Sequence, residues 1–243
     1  MFKYLNFFLD CLFPPLCYSC FQHLQKNEKQ LSVCAKCASS IKICPITFKT
    51  KLGFRLISCS SFDIPAVREL IHTFKYRKIE QAIHPITELL IKPCVQKVLL
   101  RNSYSVLRTP FIIIPIPLHK SKEKKRGFNQ SELIARALAK YLLDVRPPTE
   151  AEHLRVGSAS ILRLLVRVKN TDSQTEQKSK ETRLANVQNC FQLIENCKLK
   201  IENSSTIVLV DDVTTSGATL AEAARVLRQA GAKRVIAFTL AKA

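Results

Sequence analysis

The sequence predicts an α/β fold, in which helices flank a parallel sheet, preceded by a small cysteine-rich head. Two apolar runs, Phe111–Pro117 (FIIIPIP) and Ile207–Val210 (IVLV), have the composition of buried strands, and a polar loop and then a helical pattern follow each. Two CxxC pairs near the N-terminus predict the head. With 243 residues and 47% hydrophobic content, the chain can bury one domain plus an appendage. We therefore assign residues 1–50 to the head and residues 51–243 to the α/β body.

The first fifteen residues, MFKYLNFFLDCLFPP, are expected to form a short amphipathic helix that packs on the body. Asn6 and Asp10 interrupt the apolar run, and no small-residue cleavage site follows, so a secretory signal is not predicted. Apolar runs elsewhere fall well short of the roughly 20 residues that cross a bilayer. We expect a cytoplasmic protein without a membrane span.

The head carries its cysteines at metal-site spacing. Cys17 and Cys20 form one CxxC pair, thirteen residues separate it from Cys34 and Cys37, and this arrangement is close to a zinc ribbon. Four thiolates fill a tetrahedral shell, which predicts a structural Zn²⁺ with no catalytic role. Two disulfides are the alternative, which a cytoplasmic location disfavours. The other six cysteines are expected to pack as apolar residues: Cys11, Cys44, Cys59, Cys94, Cys190 and Cys197.

The body begins with one predicted strand and two predicted helices. A strand is expected near Phe54–Phe62, followed by a helix near Pro65–Tyr76 with proline at its tolerated first position. A second helix is expected near Ile79–Ile91. These elements lead into the apolar strand Phe111–Pro117.

The second half of the body continues the alternation. A helix is expected from Asn129, which stands at capping-box spacing from Glu132. A strand is then expected over Ile161–Val168, followed by a polar and mobile flap over Lys169–Arg183. The remaining strands, apart from Ile207–Val210, are expected at Phe191–Ile194 and Arg234–Leu240.

A strongly basic loop, HKSKEKKRGFNQ, follows the strand Phe111–Pro117. Ligands of open α/β sheets bind outside the carboxyl ends of the strands, so this placement favours anion contact over a merely solvated loop, which is the alternative. The net charge of +19, from 38 basic and 19 acidic residues, is also typical of polyanion binding. The cations expected to contact pyrophosphate or a nucleic-acid backbone are Lys120, Lys122, Lys124, Lys125 and Arg126.

The segment IVLVDDVTTSGAT, at residues 207–219, joins two carboxylates to a loop rich in hydroxyl groups just before a predicted helix. Backbone N–H groups at a helix N-terminus lack intrahelical partners and therefore bind anions. Asp211 and Asp212 can accept hydrogen bonds from sugar hydroxyls or hold a divalent cation bridged to phosphate. This combination favours a sugar phosphate over the alternative of an ordinary polar βα turn.

The same segment resembles the 5-phosphoribosyl-1-diphosphate (PRPP) motif of type I phosphoribosyltransferases. The resemblance implies that Asp211 and Asp212 contact the ribose hydroxyls, that the loop Thr214–Thr219 holds the 5′-phosphate, and that Mg²⁺ accompanies PRPP. The residues implied in PRPP binding are Asp211, Asp212, Val213, Thr214, Thr215, Ser216, Gly217, Ala218 and Thr219.

Taken along the whole chain, the motifs resemble the ComF family of competence and DNA-uptake proteins. They are the CxxC pairs, Phe74–Tyr76 (FKY), IPIPLH with RGFNQSELIARALA, the Gln174 to Phe191 pattern and the PRPP motif. The resemblance implies a zinc-ribbon head on a type I phosphoribosyltransferase-like body, and a role with single-stranded DNA and the DNA-uptake machinery in natural transformation. A third CxxC fails at Thr47, three residues after Cys44, which puts a second zinc in doubt.

Two other functions fit the same motifs. A phosphoribosyltransferase of nucleotide salvage would displace pyrophosphate from the anomeric carbon, with charge stabilised by Mg²⁺ and the basic loop. A zinc-headed interaction protein would keep only a vestigial PRPP site, although the intact motif disfavours that function. Because no residue pattern identifies an acceptor, the sequence assigns no catalytic residue.

Overall fold

The computed structural model describes residues 14–49, 53–77, 79–101, 111–144, 160–170, 187–194 and 206–243. Its main sheet has six strands in the order β1-β2-β8-β7-β3-β4, and β5 and β6 form a second, antiparallel sheet. Every neighbouring pair of the main sheet is parallel except β1 with β2. The predicted parallel sheet is thus confirmed. The strands are β1 Ile46–Lys49, β2 Arg55–Ser61, β3 Phe111–Pro115, β4 Ser160–Ile161, β5 Leu165–Arg167, β6 Phe191–Leu193, β7 Thr206–Thr214 and β8 Arg234–Lys242.

The seven α-helices of the described residues are α1 Ala35–Ser40, α2 Pro65–Tyr76, α3 Ile83–Ile86, α4 Lys92–Arg101, α5 Lys120–Arg126, α6 Gln130–Asp144 and α7 Ala218–Gln229. The helix expected near Ile79–Ile91 begins with a 3₁₀ turn and continues through α3, a π-helical turn at Thr87–Ile91 and α4. Pro93 is the second residue after the π-helical turn and has no N–H for the helical ladder, which is a usual cause of such an irregularity. None of the described helices is long and apolar enough to cross a bilayer.

The sheet separates two hydrophobic cores. Side chains alternate along a strand, so Leu209 of β7 packs with helix α7, whereas its neighbour Val210 packs on the opposite core with α2 and α6. The cysteine-rich head contributes to the core that contains Val210, where Cys17 and Val33 are also buried. The head is therefore packed on the same face of the sheet as α2.

The prediction of a single strand over Ile161–Val168 is wrong, because the structure divides this segment between two sheets. Ile161 pairs with Ile113 in the main sheet, whereas Leu165–Arg167 pairs with β6. The intervening residues turn from one partner to the other, since the Leu162 N–H donates to Ile113 and the Leu164 carbonyl accepts from Ile194. An apolar pattern alone does not show that the pairing partner changes.

Two expectations fall largely outside the described residues: the amphipathic helix at the N-terminus and the flap, of which the structure describes only Lys169 and Asn170. The boundary at residue 50 stays a prediction. Strand β1, which that boundary places in the head, pairs with β2 of the main sheet. The strands expected near Phe54–Phe62, Phe191–Ile194 and Arg234–Leu240 are present as β2, β6 and β8.

Candidate functional site

The turn between β7 and α7 builds the centre of the site. Strand β7 lies between β3 and β8 and continues through both aspartates to Thr214, and α7 begins at Ala218. Gly217 has a φ of 78°, in the left-handed region that favours glycine, and its carbonyl accepts the first helical hydrogen bond, from Ala221, at 2.9 Å. The sharp turn thus sets the N-terminus of a twelve-residue helix beside the end of a buried strand.

A cleft of about 140 Å³ opens at this carboxyl edge of the sheet. The segment predicted to bind PRPP contributes most of one wall, and Ser216, Gly217 and Ala218 form the turn behind it. The basic segment contributes Lys122 and Arg126. The residues of the PRPP motif that line the cleft are Asp211, Asp212, Val213, Thr214, Thr215 and Thr219.

The two aspartates are held by their surroundings through one oxygen each. Asp211 Oδ1 accepts from Ser131 Oγ at 3.0 Å and from the Asp212 N–H at 2.9 Å. Asp212 Oδ1 accepts from the Val213 N–H and lies 2.9 Å from Lys75 Nζ. All hydrogen bonds and ion pairs that the described residues make with these carboxylates use Oδ1. Their Oδ2 atoms therefore remain for a ligand hydroxyl or a divalent cation.

Burial and the charge of Asp212 raise the pKa of Asp211 to about 6. The hydrogen bond from the Asp212 N–H, the charge of Lys75 and the hydrogen bond from Ser131 lower this pKa but do not cancel the rise. Asp211 is consequently ionised at neutral pH and becomes protonated in mildly acidic solution.

Lys75 is a site residue that sequence reasoning missed. It lies in the last turn of α2, and its side chain and that of Asp212 are only 16% and 11% exposed. A buried pair of this kind is costly to break from one side, because the remaining charge stays without compensation. Lys75 belongs to the FKY motif, but nothing in the spacing of that motif points to an aspartate 137 residues later.

The segment predicted as a basic loop is a short helix, α5. His119 Nδ1 accepts from the Ser121 N–H at 3.3 Å at its start, and Gly127, with a φ of 91°, ends it. Lysine, glutamate and arginine are good helix formers, so a run without a breaker folds locally into a helix. Because a helix distributes its side chains around the axis, the five cations do not converge. Lys122 and Arg126 line the cleft, whereas Lys120, Lys124 and Lys125 are exposed outside it.

Two further residues enter the cleft from elements that the sequence did not connect with it. Tyr76 comes from the end of α2, and Arg167 comes from strand β5 of the small sheet. Ser131, which holds Asp211, is near the start of α6, where the Asn129 side chain accepts from the Ser131 N–H at 3.1 Å. The other half of the expected capping box is absent from the described contacts, because Glu132 instead accepts from Arg136 and Arg163.

The four cysteines of the head form a compact thiol cluster. Cys17, Cys20, Cys34 and Cys37 have all their sulfur atoms within 4.8 Å of one another, and Cys20 Sγ lies 3.7 Å from Cys34 Sγ. A tetrahedral zinc with Zn–S bonds of about 2.3 Å places its sulfurs about 3.8 Å apart. The four are free thiols in the structure, unlike the disulfide alternative. This donor set fits a zinc ion.

Backbone N–H groups favour the thiolate form of one cysteine in the cluster, Cys17. Burial raises the pKa of Cys17, but N–H donors from Cys20, Cys34 and Ser19 outweigh it and lower that pKa to about 7. Burial raises the pKa of Cys37 to about 12. Hydrogen bonds from the Ser19 and Cys34 N–H groups to the Cys17 sulfur also fix the loop that carries the first CxxC pair.

The head contacts α2 directly. Ser19 Oγ donates to the Ala66 carbonyl at 3.2 Å, and Thr73 Oγ1 donates to the Tyr18 carbonyl at 2.8 Å. The guanidinium of Arg77, just past the helix, lies 3.9 Å from the centre of the Phe21 ring. The cysteine loop therefore supports the helix that carries Lys75 and Tyr76.

Comparison with known proteins agrees with this architecture. Residues 129–243 match the phosphoribosyl transferase domain. The chain is 27% identical to DNA utilization protein YhgH of Salmonella typhimurium over 94% of its own length and 97% of that protein. It is 25% identical to Competence protein F of Haemophilus influenzae, covering 94% of this chain and 90% of that protein. Competence protein ComFC of Bacillus subtilis is 33% identical over 54% of this chain and 44% of its own length.

The matching domain contains the β7–α7 turn with its two aspartates. The similarity to the Salmonella typhimurium and Haemophilus influenzae proteins covers 94% of the chain and therefore includes the cysteine head. The parallel sheet flanked by helices is that of a type I phosphoribosyltransferase fold. Fold, site and relatives together support a ComF-family protein.

Proposed function

We propose that this chain binds PRPP in the cleft and handles single-stranded DNA in the cytoplasm during its uptake. The observation that carries the proposal is the Asp211–Asp212 pair, which lies beside the hydroxyl-rich turn with one oxygen of each carboxylate available. The names Competence protein F and DNA utilization protein, borne by two of the relatives, support the DNA part.

In this proposal the ribose hydroxyls donate to Asp211 and Asp212, and the 5′-phosphate accepts from the hydroxyl and N–H groups of Thr214–Thr219. The diphosphate extends toward Lys75, Lys122 and Arg126, whose charges oppose its own. Carboxylate oxygens are ligands that Mg²⁺ prefers, so the two aspartates would hold a Mg²⁺ that arrives with PRPP and neutralises diphosphate charge.

The exposed cations of α5 supply the proposed DNA contact. Lys124 and Lys125 are exposed and stand outside the cleft, in a chain with a net charge of +19. Such groups bind phosphates without sequence preference and release counterions. Partners in the DNA-uptake machinery belong to the same proposal. In the head, we propose one structural Zn²⁺ per chain, held by the four thiolates.

Lowering the pH is expected to weaken PRPP binding through Asp211. A protonated carboxyl loses the charge that strengthens its bond to a ribose hydroxyl, and the pKa of Asp211 is raised to about 6. Between about pH 7.5 and about pH 5.5, the affinity should fall about fourfold if only the ionised form binds. Calorimetry across this range measures the effect.

The control for the pH series is Asp211→Asn, which should bind more weakly at every pH and lack this component of the pH dependence. The titration of PRPP itself is common to both proteins and cancels in the comparison. Parallel pH curves for the two proteins would contradict the role of Asp211.

Two pairs of substitutions in α5 are expected to separate DNA binding from PRPP binding. Lys124→Gln/Lys125→Gln should weaken single-stranded DNA of all sequences alike and flatten the dependence of log affinity on log salt by about 0.7 per lost phosphate contact. Lys122→Gln/Arg126→Gln, which changes cations of the cleft, should weaken PRPP. Fluorescence anisotropy and calorimetry give the two affinities.

Loss of PRPP binding in both double variants, with DNA binding unchanged in both, would contradict the DNA role and favour a salvage enzyme. Loss of both ligands in the cleft variant alone would indicate a shared anion surface. The wild-type chain and the exposed Lys26→Gln variant of the head serve as controls.

A further inference from the structure

The aromatic side chain of Tyr76 is largely exposed to solvent. Its residue surface is 56% exposed, and among the large hydrophobic residues exposed in the described part of the chain it is the one aromatic. The ring also lines the cleft at the carboxyl edge of the sheet, together with Lys75 and Arg126. An aromatic side chain at the edge of a charged cleft offers an apolar face to a flat ligand.

The Tyr76 ring is supported on the protein side. The His72 ring, one helical turn earlier, lies 4.8 Å away between centroids at an interplanar angle of 48°. The Arg126 guanidinium is 5.4 Å from the Tyr76 centroid and donates to Gln130 Oε1 at 2.9 Å, which anchors it. The ring is thus held in place by two neighbours and still keeps more than half of its surface open.

Cations surround this ring along the direction from the head to α5. Arg77 follows Tyr76 and is exposed on the Phe21 side, whereas Arg126 and Lys122 stand on the α5 side. An aromatic face between positive groups is the composition of sites that bind single-stranded nucleic acid, where bases stack and phosphates contact the cations. A partner protein with a neutral or basic surface would not be attracted by these positive charges.

We propose that Tyr76 stacks on one base of single-stranded DNA at the rim of the cleft, with Arg77 contacting a flanking phosphate. This inference rests on the proposed function and adds the point at which the strand meets the protein. It places a nucleobase next to the proposed diphosphate cations, so DNA and PRPP would meet at a common edge. The binding remains tolerant of sequence, because every base has a face that can stack.

The test compares a fluorescently labelled oligothymidylate with an oligonucleotide of equal length that has abasic sugars. Both carry the same phosphates, so the difference between their affinities comes from the bases, and the Tyr76 variants show how much of it is stacking. The wild-type chain should prefer the thymidylate, and Tyr76→Leu should reduce that preference by about 5- to 150-fold, the range for one stacked base. Tyr76→Phe keeps the ring and should keep the preference. Leu143→Ala, at another exposed apolar residue, is the matched control.

Intrinsic fluorescence gives an independent readout. The chain has no tryptophan and five tyrosines, so tyrosine emission is observable. Thymidylate should quench part of this emission, and Tyr76→Phe should abolish that part while it still binds. Equal wild-type affinity for both oligonucleotides would overturn the stacking and leave the DNA role intact. A preference retained in Tyr76→Leu would also overturn it, and binding of neither oligonucleotide would overturn both.

Discussion

Replacing Cys17 and Cys34 with serine is expected to abolish zinc binding and to unfold the head. Cys17 is fully buried and its sulfur accepts from two backbone N–H groups, at 3.4 and 3.3 Å, so the site is formed around it. Structural zinc contributes roughly 10–16 kcal/mol of apparent binding free energy in small zinc domains, which is the largest effect expected for any change in this chain. Metal analysis of protein purified without chelator, together with thermal unfolding, measures the loss.

Cys44→Ser is the matched control, because Cys44 is an exposed thiol outside the cluster. It should keep one zinc per chain and the wild-type melting temperature. Zinc retained in the Cys17→Ser/Cys34→Ser variant, or absent from the wild type, would contradict the zinc assignment. Because the head donates hydrogen bonds to and accepts them from α2, loss of zinc should also weaken PRPP binding through displacement of Lys75.

Asp211→Asn/Asp212→Asn is expected to lose PRPP while the chain remains folded. Asparagine keeps the shape of each side chain and removes the charge of the hydrogen bonds to ribose, at a cost of about 1.5–3 kcal/mol for each residue. Calorimetry should therefore show a decrease of roughly 100-fold or more, since 1.4 kcal/mol corresponds to a factor of ten. Unchanged PRPP affinity in a folded double variant would show that the site is elsewhere.

The control for this variant concerns the 2.9 Å pair of Lys75 with Asp212. Asp212→Asn leaves the Lys75 ammonium buried without its counterion, which destabilises the chain. A triple variant that adds Lys75→Met removes that charge and should recover stability without recovering PRPP binding. Circular dichroism and thermal unfolding separate the two effects.

The sequence correctly predicted those helices and strands whose ends depend on residues nearby in the chain. Pro65 and the helical spacing after it gave α2 its observed limits, and uninterrupted apolar runs gave β3 and β7. The turn at Gly217 was predictable because the paired acids, the hydroxyls and the helical pattern after them are consecutive in sequence. Such features depend on neighbours in the chain and hardly on tertiary contacts.

One error was avoidable from local signals: the segment Lys120–Arg126 was predicted as a loop, although its residues favour a helix and Gly127 can end one. The other errors have tertiary causes. Lys75, Tyr76 and Arg167 reach the cleft from three-dimensional packing of α2 and β5, which no spacing along the chain encodes. The division of Ile161–Val168 likewise depends on which strand each residue meets.

Calorimetric titration of PRPP into the wild-type chain shows whether the β7–α7 turn binds PRPP. The titration is run with and without Mg²⁺, and then with ribose 5-phosphate as a competitor. We expect one site per chain, stronger binding with Mg²⁺, and competition by ribose 5-phosphate, because the Thr214–Thr219 turn would hold the 5′-phosphate of both. Absence of binding under both conditions, or binding that ribose 5-phosphate does not affect, would contradict PRPP binding at this turn.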